Sequence, residues 1–256
     1  MLLAIDIGNT HIDLGLFFDD QLQVHLKLPS TRAVCIKSYE KDLRHFLQTE
    51  NRAGAIECVL IASVVSELGQ IWVELCHLFE LRALQVDSRW DLGLHIDYDA
   101  PERVGIDRLL AAAAAFERAP ADSGALIADA GTAITVDLVD AHGVFLGGAI
   151  APGLYLMLNA LNSGTSLLPA IALGDDAPLV GKNTPDGMRS GVLHGAAALV
   201  DGLCLRMRES QTSSITSTLT GGDGQRLFKL TRHFDHCEAA LVLHGLALAY
   251  RRLLTA

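Results

Sequence analysis

The chain has 256 residues; half are apolar, 20% are charged, 5% are aromatic, and the formal net charge is -10. This length suits one large domain or two small ones, the apolar content excludes a disordered chain, and the acidic balance lacks the basic stripe of a nucleic-acid-binding protein. Mean hydropathy is positive, yet no apolar run approaches the roughly 18–20 residues of a spanning helix, and the first five residues lead straight to Asp6 with no basic segment ahead of them, so neither a membrane span nor a signal peptide is expected.

The first elements read as strand, turn, strand. Residues 2–5 form an apolar strand, Asp6-Ile7-Gly8-Asn9-Thr10 a turn of small and polar residues, and Ile12, Leu14 and Leu16 alternate with His11, Asp13 and Gly15 as in a half-buried strand. Residues 37–50 read as a helix with Tyr39, Leu43, Phe46 and Leu47 on one face. A buried strand over residues 58–63, an amphipathic helix over 69–81 and a short strand over 83–86 follow. Strands alternating with helices indicate an α/β protein. In the segment from Tyr98 to Arg108, Pro101 and Glu102 fit a helix start, but Gly105 moves the regular helix to about Ile106, ahead of the apolar residues 109–116.

The opening unit then comes again. Residues 125–128, Asp129, Ala130, Gly131 and Thr132 repeat the pattern of apolar strand, Asp, one residue, Gly and a small polar residue, and residues 134–139 supply a second strand. Aligned on the aspartates without gaps, the two second strands alternate one residue out of phase. A bulge would absorb the slip; otherwise the likeness is chance. Further on come Gly147-Gly148, Pro152-Gly153, a helix over 154–162, a Gly- and Pro-punctuated stretch from Ser163 to Pro185, and a long apolar helix over 190–209. A strand over 215–219, the glycine turn Thr220-Gly221-Gly222-Asp223-Gly224 and a closing helix over 238–254 complete the chain. The five cysteines (Cys35, Cys58, Cys76, Cys204 and Cys237) form no C-x-x-C pair, so they read as buried or incidental thiols of a cytoplasmic chain, with neither a disulfide framework nor a zinc site.

A strand–Asp-x-Gly–strand turn suits phosphate chemistry. Glycine admits a phosphate close to the backbone, whose N–H groups can point at the anion. The carboxylate cannot touch phosphate without repulsion, but it can hold a cation between itself and the phosphates. Two such turns could clamp the β- and γ-phosphates of ATP; alternatively Asp6 caps a hairpin as an Asx-turn. The residues from 220 to 224 are either a tight turn or a seat for adenine or ribose. Asp107 and Arg108, in a first helical turn, read in two ways. They are a helix cap and a surface arginine, or an ionised carboxylate that accepts a hydroxyl proton in phosphoryl transfer and a fork for a substrate carboxylate. No Walker loop and no dinucleotide-binding G-x-G-x-x-G occurs.

Taken together, the motifs resemble those of type III pantothenate kinases, of the acetate and sugar kinase/Hsp70/actin superfamily, over nearly the whole chain. Asp6–Thr10 resembles the first phosphate motif of that family and Asp129–Ala133 the second. Residues 98–108 resemble its Y-x-N-P-x-x-V-G-x-D-R segment, 147–153 its G-G-x-I-x-P-G segment, 180–184 its V-G-x-N-T segment and 220–222 its adenosine-side turn. The resemblance implies an α/β fold of two similar ribonuclease H-like (actin-like ATPase) domains, each a mixed central sheet flanked by helices, divided here as 1–118 and 119–256. It implies ATP-dependent phosphorylation of pantothenate to 4′-phosphopantothenate, with Asp107 as general base or hydroxyl orienter. Tyr98, Gly105, Ile106 and Arg108 would bind pantothenate together with Thr184 of a neighbouring subunit in a homodimer. Asp6, Ile7, Gly8, Asn9, Thr10, Gly131, Thr132, Gly221 and Gly222 would bind ATP. Asp6 would serve the Mg²⁺–phosphate end, and Asp129 a monovalent cation, K⁺ or NH₄⁺. Two positions depart from the family pattern: Ala100 stands where Asn is usual, removing a polar anchor, and Asp13 where an apolar residue or Lys is common. Some relatives are named as transcriptional accessory factors, so the alternative is a non-catalytic regulator that keeps the nucleotide fold.

Overall fold

The computed structural model describes residues 1–31, 36–49 and 55–255; Cys35 and Glu50 lie outside them. Packing divides the chain into two units. One contains Met1–Leu94, Asp99–Ala114 and Val242–Ala256; the other contains His95–Tyr98 and Ala115–Leu241.

In the first unit, β1 (Leu2–Ile7), β2 (His11–Phe18), β3 (Gln21–Pro29), β4 (Cys58–Ser63) and β5 (Ala83–Gln85) form a sheet in the order β3-β2-β1-β4-β5. The β1–β2 and β2–β3 pairs are antiparallel, whereas β1–β4 and β4–β5 are parallel. The alternation of the sequence decides the faces. Leu3, Ile5, Ile7, Ile12, Leu14 and Leu16 are buried in one core with residues of α1 (Ile36–Thr49) and α2 (Ser66–Leu78), among them Tyr39, Leu43, Trp72 and Leu75. The opposite face carries Asp6 and Asp13.

In the second unit, β6 (His95–Ile96), β7 (Gly124–Ala130), β8 (Ala133–Val139), β9 (Val144–Pro152), β10 (Ile215–Thr220) and β11 (His236–Cys237) are ordered β11-β10-β7-β8-β9-β6. Without the edge strand β6, this order and its parallel and antiparallel pairings are those of the first sheet. Each unit therefore has the ribonuclease H-like arrangement, and the fold is an α/β duplication. The phase slip between the copies has a simple cause. Ile7 pairs with Ile12 across four turn residues, but Ala130 pairs with Ile134 across three. The second turn is one residue shorter, so Ile134, Val136 and Leu138 point into their core as Ile12, Leu14 and Leu16 point into theirs. No bulge is involved at this point.

Helix α3 (Ile106–Arg118) begins where Gly105 predicts, and α4 (Leu154–Ser163) follows the Pro152-Gly153 pair. The long helix α5 spans Thr184–Glu209, six residues more than the apolar pattern indicates, because the Asn183 side chain accepts a hydrogen bond from Asp186 N–H and Pro185 sits in the first turn. The glycine turn after β10 continues into a short helix, α6 (Gly224–Phe228), and α7 (Leu241–Thr255) closes the chain.

Candidate active site

In each unit the central strand ends one residue after its aspartate, at Ile7 and at Ala130, and turns immediately. In the first, Gly8 N–H donates to His11 O at 2.9 Å; in the second, Gly131 N–H donates to Ala133 O at 3.0 Å. Asp6 and Asp129 are half-buried, Ile7 is buried, and Asn9, Thr10 and Thr132 are exposed at the turn tips. Asp13 lies directly opposite Asp6 in the sheet. Its charge is matched, since Asp13 Oδ1 is 2.6 Å from His25 Nε2 and 3.6 Å from Lys27 Nζ.

The strand beside the aspartate differs between the copies. Ala62 lies beside Asp6 and Thr220 beside Asp129. The next residues are Ser63 and Gly221. The Ser63 hydroxyl turns back on its own chain, donating to Val65 O at 2.8 Å and accepting from Val65 N–H at 3.1 Å. Gly221 has φ +90, and a Cβ on it would overlap Asp129 Oδ1 and lie 2.6 Å from Ala130 O. A Cβ on Gly131 would lie 3.3 Å from the same Oδ1. Two glycines therefore leave the Asp129 carboxylate a space that side chains would fill. Gly222 is exposed, and Asp223 N–H donates to Ala130 O at 2.9 Å, tying this turn to the phosphate-type turn. On the other side, Gly153 N–H donates to Thr132 O at 3.1 Å, and a Cβ there would overlap the Gly131 and Thr132 carbonyls.

In the first unit, Asp107 and Arg108 occupy the first turn of α3. Both are half-buried, and Ile106 is buried. The Asp107 carboxylate stands over Gly105, where a Cβ would overlap Oδ1, and Oδ1 accepts Arg108 N–H at 2.9 Å. That bond is a local one within the first turn of the helix. The 3-10 turn over Pro101–Arg103 has no side-chain cap at Ala100, though Arg103 N–H still reaches Ala100 O at 2.9 Å. The turn therefore forms with Ala at position 100. Tyr98 belongs to the second unit. It is 41% exposed, and its ring lies over Gly147, whose φ of +82 and missing side chain make the room. Thr184 is exposed at the start of α5.

Beside the glycine turn, Asp223 belongs to a charged cluster with residues distant in sequence. Buried Asp223 pairs with Arg226, whose Nη2 is 2.8 Å from Asp175 Oδ1. Burial works against the guanidinium charge, but the Asp175 hydrogen bond and the Asp223 charge outweigh it and raise the Arg226 pKa. Among the described residues, no group of three or more His, Cys, Asp or Glu could hold a metal ion. Single carboxylates at strand ends suit a cation that takes its other ligands from phosphate and water.

The sequence profile of the family described as Type III pantothenate kinase matches residues 2–206. A type III pantothenate kinase from Syntrophus aciditrophicus is 33% identical over 254 residues, 98% of this chain and 99% of its own. One from Thermomicrobium roseum is 34% identical over 255 residues, 99% of this chain and 98% of its own. Among solved structures, a Campylobacter jejuni protein named as a Baf family transcriptional activator superposes with a TM-score of 0.62 at 20% identity, covering 99% of this chain and 100% of that one. The activator of 2-hydroxyisocaproyl-CoA dehydratase from Clostridium difficile, solved with ADPNP, gives 0.56 at 11% identity, covering 100% and 97%. These two likenesses speak for the fold.

Proposed function

The chain belongs to the type III pantothenate kinase family, and from that membership we propose how its residues share the work of moving a phosphoryl group from ATP to pantothenate. The reaction yields 4′-phosphopantothenate and ADP, the first step towards coenzyme A. The observation that carries the activity is full-length similarity to kinases of this name.

Asp107 orients the primary hydroxyl of pantothenate and takes its proton as the oxygen attacks the γ-phosphorus. The bond from that phosphorus to the bridging oxygen breaks, and ADP leaves. Such a transfer depends more on position than on base strength, and the Arg108 N–H bond to Oδ1 supports this by fixing the carboxylate. The Arg108 guanidinium forks onto the substrate carboxylate. Tyr98, Gly105 and Ile106 line the pantothenate site, and Thr184 of the partner subunit completes it. Gly8, Asn9 and Thr10 present backbone and side-chain donors to phosphate, as do Gly131 and Thr132; Gly221 and Gly222 seat the adenosine side.

Mg²⁺ bound with ATP would supply charge neutralisation to the phosphates, and Asp6 is the residue that would serve it. The space held open for the Asp129 carboxylate by Gly131 and Gly221 supports a cation there, and we assign it to K⁺ or NH₄⁺. The dimer is supported by α5. A Cβ added at Gly187, Gly191, Gly195 or Gly202 would meet no described atom within 4 Å outside the backbone of its own helical turns. Interior helix glycines cost about 1 kcal/mol each relative to Ala, and close approach by a second copy gives them a use. The described cysteines are free thiols, and no described helix is long and apolar enough to cross a membrane. Both fit a cytoplasmic enzyme.

A coupled ADP-release assay with Mg²⁺, with and without pantothenate, in K⁺ and in Na⁺, tests the reading. Turnover that depends on pantothenate and is faster in K⁺ is expected; no pantothenate-dependent turnover in any salt refutes it. Sedimentation should give a dimer of the 27.4 kDa chain, and a monomer at assay concentrations refutes the role of Thr184.

A further inference from the structure

Arg226 is held in an unequal way. Its two terminal nitrogens each meet a carboxylate, and the two carboxylates differ in kind. Asp223 is 8% exposed, and its backbone is fixed by the bond from its N–H to Ala130 O and by Leu227 N–H donating to its own carbonyl at 3.0 Å. Asp175 has a side chain 96% exposed, in the loop between α4 and α5, directly after Gly174 at φ +71. The neighbouring Asp176, not Asp175, closes that turn, accepting Ala177 N–H at 2.8 Å. A buried partner sets where the guanidinium points, and an exposed one is weakly held, because exposed ion pairs contribute little. Burying an arginine beside one aspartate and aiming its remaining fork at a second, solvated carboxylate is poor economy for stability alone.

Resting on the assignment of Thr220–Gly222 to the nucleotide, we propose that Arg226 is a nucleotide-binding residue whose anion-accepting edge is occupied by Asp175 until a phosphate oxygen of the nucleotide displaces it. The Asp175 carboxylate is an oxyanion at 2.8 Å from Nη2, the length of a charge-assisted bond. A phosphate oxygen offers the same chemistry with more charge. The position is suitable: Arg226 follows Gly222 by four residues, and Asp223 joins its anchor to the residue preceding Gly131. Asp175 is thus a displaceable latch, and Asp223 sets the aim of the arginine. The loop carrying Asp175 is tied to α5 further along, through His194 Nε2 to Ala177 O at 3.1 Å and Ser190 Oγ to Leu179 O at 2.7 Å. Release of the latch therefore leaves the rest of the loop in place.

The two partners of the latch should respond in opposite directions. Arg226→Gln is expected to raise the KM for ATP about tenfold, the loss of one charge-assisted hydrogen bond. Asp175→Asn is expected to lower it about two- to fivefold, the range of an exposed ion pair, with the pantothenate KM unchanged in both. Asp176→Asn removes the same charge without touching Arg226 and should leave the ATP KM at the wild-type value. Should Arg226→Gln fold poorly because Asp223 loses its partner, Arg226→Lys keeps a cation for Asp223 but loses the fork, and should still raise the ATP KM. ADP binding to each variant, measured by calorimetry, gives the same ranking without turnover. If Asp175→Asn and Arg226→Gln both weaken ADP binding, or neither changes it, Arg226 is a brace and the proposal fails. If Asp175→Asn and Asp176→Asn tighten it equally, the effect is general charge and the proposal also fails. An absence of pantothenate-dependent turnover in the wild type counts against the kinase reading, while the binding series still decides the latch.

Discussion

Gly221 leaves open the space that the Asp129 carboxylate occupies: a Cβ at residue 221 would overlap Asp129 Oδ1 and approach Ala130 O to 2.6 Å. Position 221 also has φ +90, where L side chains are strained. Gly221→Ala should therefore move the carboxylate and strain the turn together, at a cost of about 1–3 kcal/mol. For a chain of this size, that lowers the melting temperature by several degrees. Thermal unfolding of Gly221→Ala beside wild type reads it. An unchanged melting temperature would mean that the turn relaxes freely.

The same carboxylate gives a second expectation. If Asp129 binds the monovalent cation, Asp129→Ala should flatten the dependence of the rate on K⁺ while the enzyme still folds. A K⁺ titration of turnover, run with circular dichroism on the same samples, checks both parts. A K⁺ curve that superposes on wild type removes Asp129 from that role.

Asp107 is tested by substitution that keeps its shape. Asp107→Asn retains an oxygen for Arg108 N–H, so α3 should keep its first turn, but it cannot take a proton. Turnover should fall at least about a hundredfold, the lower range for loss of a general base, with the ATP KM little changed. Near-full activity would show that the hydroxyl loses its proton elsewhere.

The parts of this architecture legible in the sequence are those that local chemistry decides. An apolar strand running into Asp-x-Gly is a strand and a turn whatever surrounds it, so both phosphate-type turns and the start of α3 were visible. The strand β3 was missed although Leu22, Val24, Leu26 and Leu28 alternate with polar residues, because its outward face is exposed along most of its length. The strand β9 is interrupted in sequence by Gly147-Gly148, which break its alternation of side chains; there the glycines serve close packing, against the Tyr98 ring and the Val136 carbonyl. The missing residue in the second turn is a fact of register, which only pairing reveals. Arg226 and Asp175 lie 51 positions apart, and no periodicity links them.

Three of the described thiols, Cys58, Cys76 and Cys204, are buried and should be inert in the folded protein. Burial pushes Cys76 up to about 12 and raises Cys58 and Cys204 as well; the thiolate is the reactive form. Native protein treated with a thiol reagent at pH 8 should show no modification at these three by peptide mass spectrometry, and full modification after denaturation. Labelling of native Cys76 would contradict the packing around Trp72 and Leu75.

Acid sensitivity should be traceable to the second unit. Ser217 is fully buried on β10. Its N–H and hydroxyl both reach Asp235 Oδ2, at 2.8 and 2.9 Å, and Arg208 Nη2 reaches the Ser217 hydroxyl at 2.8 Å and pairs with Asp235. Burial alone would raise the Asp235 pKa, but the Ser217 bonds and the Arg208 charge outweigh it, and the net shift is downward from 3.8. A carboxyl depressed in the folded state stabilises above its unfolded pKa and loses that contribution as pH falls through the folded one. The stability difference between wild type and Asp235→Asn should therefore be largest at neutral pH and shrink below about pH 4, the ordinary range of an Asp carboxyl. Urea unfolding at pH 7, 5 and 3.5 measures it. A difference independent of pH would show that Asp235 contributes through shape and hydrogen bonding, and that its charge adds nothing to holding β10 against β11.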